Sequence, residues 1–295
     1  MISQPSRRTF LQSLGAAATV ASLAPGAALA APLKGANMAY GLVTYQWGKD
    51  WDLPTLIKNC EQAKVYGVEL RTTHAHGVEP TLSKIQREEV VKRFNDSPVQ
   101  LVSLGSNERF DSPDPAVLKK AIETSKEFLR LAHDVGATGV KVKPDRFYPT
   151  VAHEKTIAQI GGALNELGEY ATGFGQQVRL EVHGQCGEPA TIKKIMDVAD
   201  NENVAVCWNS NAQDLEGPGL EQNFNLLIKR FGATCHVRPL DDADYPYAQL
   251  IQLLVDADYQ GWLMLEDGRM VADPVEQLAR QAILFKKMVA AAQSK

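Results

Sequence analysis

The sequence predicts a single (β/α)8 barrel, the TIM-barrel architecture, and three features carry that prediction. Short β-rich runs and stretches of helical apolar periodicity alternate eight times from Asn37 onward. The 295-residue length accommodates one such barrel as a single domain behind an N-terminal leader. No Gly-x-Gly-x-x-Gly turn follows an early strand, as an open dinucleotide-binding sheet would require.

The predicted strands are Met38–Tyr45, Val68–Thr72, Val99–Ser103, Gly139–Lys143, Val178–His183, Val204–Trp208, Thr234–Arg238 and Trp262–Glu266. The clearest helices between them are Leu53–Tyr66, Pro115–Val135, His153–Tyr170 and Pro274–Ala291. Asp52, Asp114-Pro115 and Asp273-Pro274 are start signals. A short acceptor side chain caps free N–H groups there, and proline at the first helical position has no N–H to lose. Tyr66-Gly67, Val135-Gly136 and Phe231-Gly232 read as glycine stops.

Ahead of the barrel, Ser6-Arg7-Arg8-Thr9-Phe10-Leu11 reads as a twin-arginine signal. An uncharged Ala-rich stretch follows and ends in Ala28-Leu29-Ala30, a small-residue cleavage pattern. Residues 1–30 are therefore expected to be a signal peptide and 31–295 the barrel. The implied partner is the twin-arginine export machinery, the implied location periplasmic or otherwise extracytoplasmic, with no membrane attachment after cleavage. That route carries folded proteins, often with a metal already loaded. Cleavage removes two arginines and no acid, so the mature chain is more acidic than the −4 of the whole. Such a balance offers no basic footprint for nucleic acid. Cys60, Cys186, Cys207 and Cys235 form no C-x-x-C pair and read as buried free thiols.

Barrel chemistry sits at the C-terminal ends of the strands, and these ends are unusually polar. The second strand and its loop supply Glu69, Arg71, His74 and His76, the fourth Lys141 and Lys143. The fifth supplies Glu181 and His183, the seventh His236 and Arg238, each pair on one face by the period of two. Glu181, Asn209, His236 and Glu266 end four successive strands at spacings of 28, 27 and 30 residues, about one βα unit each. Their side chains are expected to converge on one side of the mouth. This oxygen and nitrogen set suits one Mn²⁺, Mg²⁺, Co²⁺ or Zn²⁺ ion, and the absence of thiolate argues against a structural zinc.

On these residues the chain resembles the xylose-isomerase-like barrel superfamily of sugar isomerases and epimerases. The resemblance rests on Gly67–Arg71 (G-V-E-L-R) and on L-A-H-D-V-G-A-T-G-V-K-V through the fourth strand. It continues in L-E-V-H-G at Glu181, C-W-N-S-N at Asn209, H-V-R at His236 and G-W-L-M-L-E at Glu266. It implies a divalent metal on Glu181, Asn209, His236 and Glu266, with Glu181 and Glu266 as the proton-transfer pair. Asn209 stands where the family carries Asp, which removes one negative charge and implies weaker metal affinity. The histidine that some epimerases carry shortly after it is replaced by Asn211 and Ala212.

The implied reaction is removal of a proton next to a carbonyl of a non-phosphorylated sugar. Elimination of the aglycone from a 3-keto-glycoside is the alternative outcome, and a non-catalytic exported sugar-binding barrel the alternative to both. A repair endonuclease of the same superfamily is disfavoured, since six histidines in an acidic chain do not supply its multi-zinc pattern. His183 and Lys143 are candidates for acid–base work, His183 equally for bracing Glu181. Arg238, Arg71, His76 and Trp47 are the expected substrate contacts. Glu69 and Arg71 are expected to pair with each other. Trp51 and Phe110 could serve as sugar platforms beside Trp47 or plug the mouth, while His133 and His153 read as packing residues on helices.

Overall fold

The computed structural model describes residues 33–295, and the expected signal peptide, residues 1–30, lies outside them. Eight strands form one parallel sheet: β1 (Ala39–Val43), β2 (Gly67–Arg71), β3 (Gln100–Arg109), β4 (Gly139–Lys143), β5 (Gln177–Glu181), β6 (Val204–Cys207), β7 (Thr234–Val237) and β8 (Trp262–Leu265). They pair in the order β6-β5-β4-β3-β2-β1-β8-β7. The seam between β6 and β7 is closed by His236 N donating to Trp208 O at 2.6 Å, Gly232 N to Val206 O at 2.8 Å and Ser210 N to His236 O at 3.2 Å. The result is the expected (β/α)8 barrel.

Helices α1 (Leu53–Ala63), α2 (Lys84–Asn95), α3 (Pro115–Val135), α4 (His153–Thr172), α5 (Pro189–Val198), α6 (Leu220–Leu227), α7 (Tyr247–Asp256) and α8 (Pro274–Gln293) follow the strands in turn. The three predicted aspartate caps form: Asp52 accepts from Thr55 N, Asp114 from Ala116 N, and Asp273 from Val275 N and Glu276 N. Gly136 closes α3 in the left-handed conformation, at φ 81°.

The other two glycine stops have different roles. Lys64 caps α1 at φ 57°, so the helix ends before Tyr66. Gly67 instead opens β2, where an added Cβ would sit 2.1 Å from the Trp262 ring. Gly232 lies at the β6–β7 seam with its N–H on Val206.

The main core lies between sheet and helices. Leu180, Val182 and Val237, which alternate with Glu181, His183, His236 and Arg238 along and just past β5 and β7, are wholly buried in it. A separate small cluster of Val43, Val102 and Met264 fills part of the barrel interior. The rest of that interior is polar: Glu69, Lys141, Arg179, Glu181 and His236 are all buried. Arg179 donates from Nη2 to Thr138 O and Thr138 Oγ1 and from Nε to Gln177 Oε1, a structural role. All four cysteines are free and buried. Among the described residues no helix is long and apolar enough to cross a membrane.

Candidate active site

A cavity of about 430 Å³ opens at the C-terminal mouth, and Glu181, Asn209 and Glu266 line it. Its floor is a cluster in which Glu181, His236 and Glu266 each offer a donor atom within 4.8 Å of the others. His236 Nδ1 lies 3.5 Å from Glu181 Oε1 and 3.5 Å from Glu266 Oε2. Its Nε2 meets Glu69 Oε1 at 3.0 Å, which fixes the plane of the ring. The Nδ1 atom is buried and has no hydrogen-bond partner. Asn209 donates from Nδ2 to Glu181 Oε1 at 2.8 Å and so joins the cluster through Glu181.

Lys141 reaches the cluster from β4. Its ammonium sits 2.8 Å from Glu181 Oε2, with both side chains 1% exposed. The contact is an ion pair rather than an aligned hydrogen bond, and Oε2 has no hydrogen-bond partner. Burial would raise the Glu181 carboxyl, but Lys141 and then His236 overcome that and hold it well below the usual range. Glu266 is lowered too, with burial again opposed, here chiefly by His236. Its side chain keeps 17% of its surface open, toward the cavity.

Around this floor the wall is cationic. Lys143 is buried yet forms no ion pair or hydrogen bond among the described residues, and it lines the cavity. Burial, then the charge of Lys141, pushes its ammonium down to about 8. The Arg71 guanidinium lies 4.5 Å above the Tyr45 ring, with Nη2 3.5 Å from Asn107 Oδ1. Arg238 stands exposed at the rim. His183 lines the wall, where its Nδ1 meets Asp145 Oδ1 at 2.9 Å. Asp145 in turn takes Arg109 Nε at 2.8 Å.

A model of the family described as xylose isomerase-like TIM barrel matches residues 57–288. The chain belongs to this family. Its fold is similar to 3-keto-D-glucoside 4-epimerase from E. coli, at TM-score 0.72 and 14% identity over 85% of this chain and 99% of that one. It is similar to L-ribulose 3-epimerase, at TM-score 0.74 and 14% identity over 86% and 95% of the two chains. It is also similar to the IOLI protein with a bound zinc atom, at TM-score 0.69 and 14% identity over 86% and 98%. No curated protein matches the chain in sequence.

Within this xylose isomerase-like barrel, two of the expected substrate contacts are turned into the protein. Trp47 is buried off the cavity, its Nε1 donating to Arg269 O at 3.0 Å. His76 is also buried, with Nε2 on Arg71 O at 2.8 Å and Nδ1 accepting from Val78 N at 3.0 Å. Both residues spend their polar atoms on backbone groups. Phe110 is wholly buried in the main core, and Trp51 packs on that core.

The expected Glu69–Arg71 pair does not form, because Glu69 is claimed by His236 and Arg71 by Tyr45 and Asn107. Nor does His183 brace Glu181, since Asp145 holds it. Sequence reasoning placed Glu69 and Lys141 among the polar strand ends but gave Lys141 no role and Glu69 only Arg71 as a partner, and it gave Tyr45 no role at the site. Glu69 and Lys141 sit two positions before Arg71 and Lys143, so the period of two already set them on the same inward face. Tyr45 carries no such signal.

Proposed function

We propose that the protein is a divalent-metal-dependent isomerase or epimerase that removes a proton next to the carbonyl of a non-phosphorylated sugar. One observation carries this reading: a buried, unpartnered His236 Nδ1 facing two carboxylates, with Glu69 orienting the ring from behind. A carboxylate behind an imidazole is the usual support for a metal-ligating histidine. Glu181, His236 and Glu266 would hold the ion, and Asn209 offers its amide oxygen as a neutral fourth donor. Bound there, a divalent ion would polarise a carbonyl oxygen and acidify the adjoining C–H.

The two carboxylates then divide the work. Glu181 is held ionised between Asn209 and Lys141, which makes it the weaker base. Glu266 is not so engaged and is open to the cavity, so it removes the proton. Protonation of the same carbon on its opposite face gives the epimer; because Glu181 is ionised, that proton comes from solvent, and Glu266 releases the one it took back to solvent. Return by Glu266 to the neighbouring carbon gives the isomer. Lys143 and His183 are placed on the wall to hold or move hydroxyl protons. The likeness in fold to sugar epimerases supports this reaction class. The Arg7-Arg8 signal supports an extracytoplasmic site of action, which replacing both arginines by lysine in a reporter fusion would abolish.

The test is deuterium wash-in. Ketoses and 3-keto-glycosides incubated with the Mn²⁺-loaded protein in D₂O should gain deuterium beside the carbonyl, read by NMR. Glu266→Gln should slow this by about 100-fold or more. Release of the aglycone instead would make the protein a lyase, and binding without exchange would make it a non-catalytic barrel.

A further inference from the structure

The proposed reaction asks its substrate only for a carbonyl and a neighbouring hydroxyl, but the cavity wall is built for something more. Five cations line or underlie it: two are neutralised, Arg238 stands exposed to solvent at the rim, and two remain. Lys141 is paired with Glu181 at 2.8 Å, and Arg269 with Asp267 at 3.0 Å. Arg71 and Lys143 line the same cavity from the ends of β2 and β4 and have no carboxylate partner among the described residues.

Both are held in ways that cost free energy. Lys143 is only 5% exposed, and an ammonium withdrawn from water without a partner is unfavourable. Arg71 is laid across the Tyr45 ring, which fixes its plane, while its Nε is buried with no hydrogen-bond partner. Two cations that line one cavity and have no carboxylate partner, an ammonium and a guanidinium, form an anion-binding pole.

Resting on the isomerase or epimerase reading, we propose that the substrate is a sugar acid. Its carboxylate is held by Arg71 and Lys143 while its carbonyl end lies at Glu181, His236 and Glu266. A carboxylate fits better than a phosphate ester on charge, since the planar guanidinium matches either group. The wall also carries Glu266 and Asp242, which repel a dianion more than a monoanion.

Calorimetric titration of the metal-loaded protein tests this, with D-glucuronate, D-galacturonate and D-mannuronate against their parent hexoses and the hexose 6-phosphates. At least one uronate should bind about 10-fold or more tightly than its parent, the scale of a charge-assisted contact. Arg71→Met and Lys143→Met should each erase that preference while metal content stays unchanged. The proposal is overturned if no uronate is favoured, if the preference survives both substitutions, or if a 6-phosphate binds more tightly than its uronate. Because the readout is binding, it separates from the reaction itself. A uronate that binds and never exchanges a proton sinks the isomerase reading alone, whereas exchange confined to neutral ketoses sinks the sugar acid alone.

Discussion

Strands β5 to β8 carry Glu181, Asn209, His236 and Glu266 within two residues of their last ladder residue, and all four gather around one floor. On the other half of the mouth, Trp47, His74 and His76 lie several residues beyond β1 and β2, inside loops. There Trp47 and His76 bond to backbone, and His74 Nδ1 reaches only Thr44 Oγ1 at 3.3 Å. The first half presents unpartnered atoms to a cavity, and the second uses its rings to shape loops. What reaches the cavity from β2 and β4 is charge, in Arg71 and Lys143. The comparison separates a half proposed to hold metal from a half that forms the frame and, by our proposal, the substrate pole, with Lys141 bridging them.

The largest expected effect is at that bridge. Lys141→Met leaves Glu181 buried without its counter-charge, and removing one partner of a buried pair costs about 3–5 kcal/mol. Urea unfolding of the metal-free protein should show that loss, and added Mn²⁺ should restore most of it by supplying the missing positive charge. A loss that metal does not repair would detach Lys141 from the site. Next comes Glu69→Gln, which should weaken metal binding by about 10–100-fold in a chelator competition. Unchanged affinity would mean that His236 does not depend on its carboxylate.

Asn209→Asp replaces the amide that donates to Glu181 with a second carboxylate 2.8 Å away. Without metal the two acids repel and the melting temperature should fall. With metal the added charge should tighten binding by about 10-fold and slow turnover, because a more negative shell weakens the ion as a Lewis acid. Equal dissociation constants in a metal titration would remove Asn209 from the site. The smallest effect belongs to the frame: Trp47→Phe loses one hydrogen bond to Arg269 O, about 1 kcal/mol in thermal denaturation, with metal affinity unchanged.

The same comparison explains what was legible in the sequence. The barrel was readable because alternation, caps and polar strand ends are local properties. Asp52, Asp114 and Asp273 cap helices within three residues of themselves. Glu181, Asn209, His236 and Glu266 were readable because the strand period decides which way a side chain points. Past the strand end that rule lapses, so nothing local says that His76 folds back on Arg71 O or that Trp47 turns to Arg269, 222 residues away. Partner choice inside the barrel was hidden for the same reason. Glu69 has Arg71 two residues away, yet binds His236 across 167 residues because both point inward and Arg71 sits at the mouth against Tyr45.

The metal centre is the claim on which the rest stands, and metal analysis of the purified protein tests it most directly. After chelator stripping and incubation with Mn²⁺ or Zn²⁺, wild type should retain one equivalent of divalent ion per chain. His236→Ala, lacking the Nδ1 that faces Glu181 and Glu266, should retain almost none. A wild-type protein that takes up no ion, or a His236→Ala protein that keeps its full equivalent, would contradict the account.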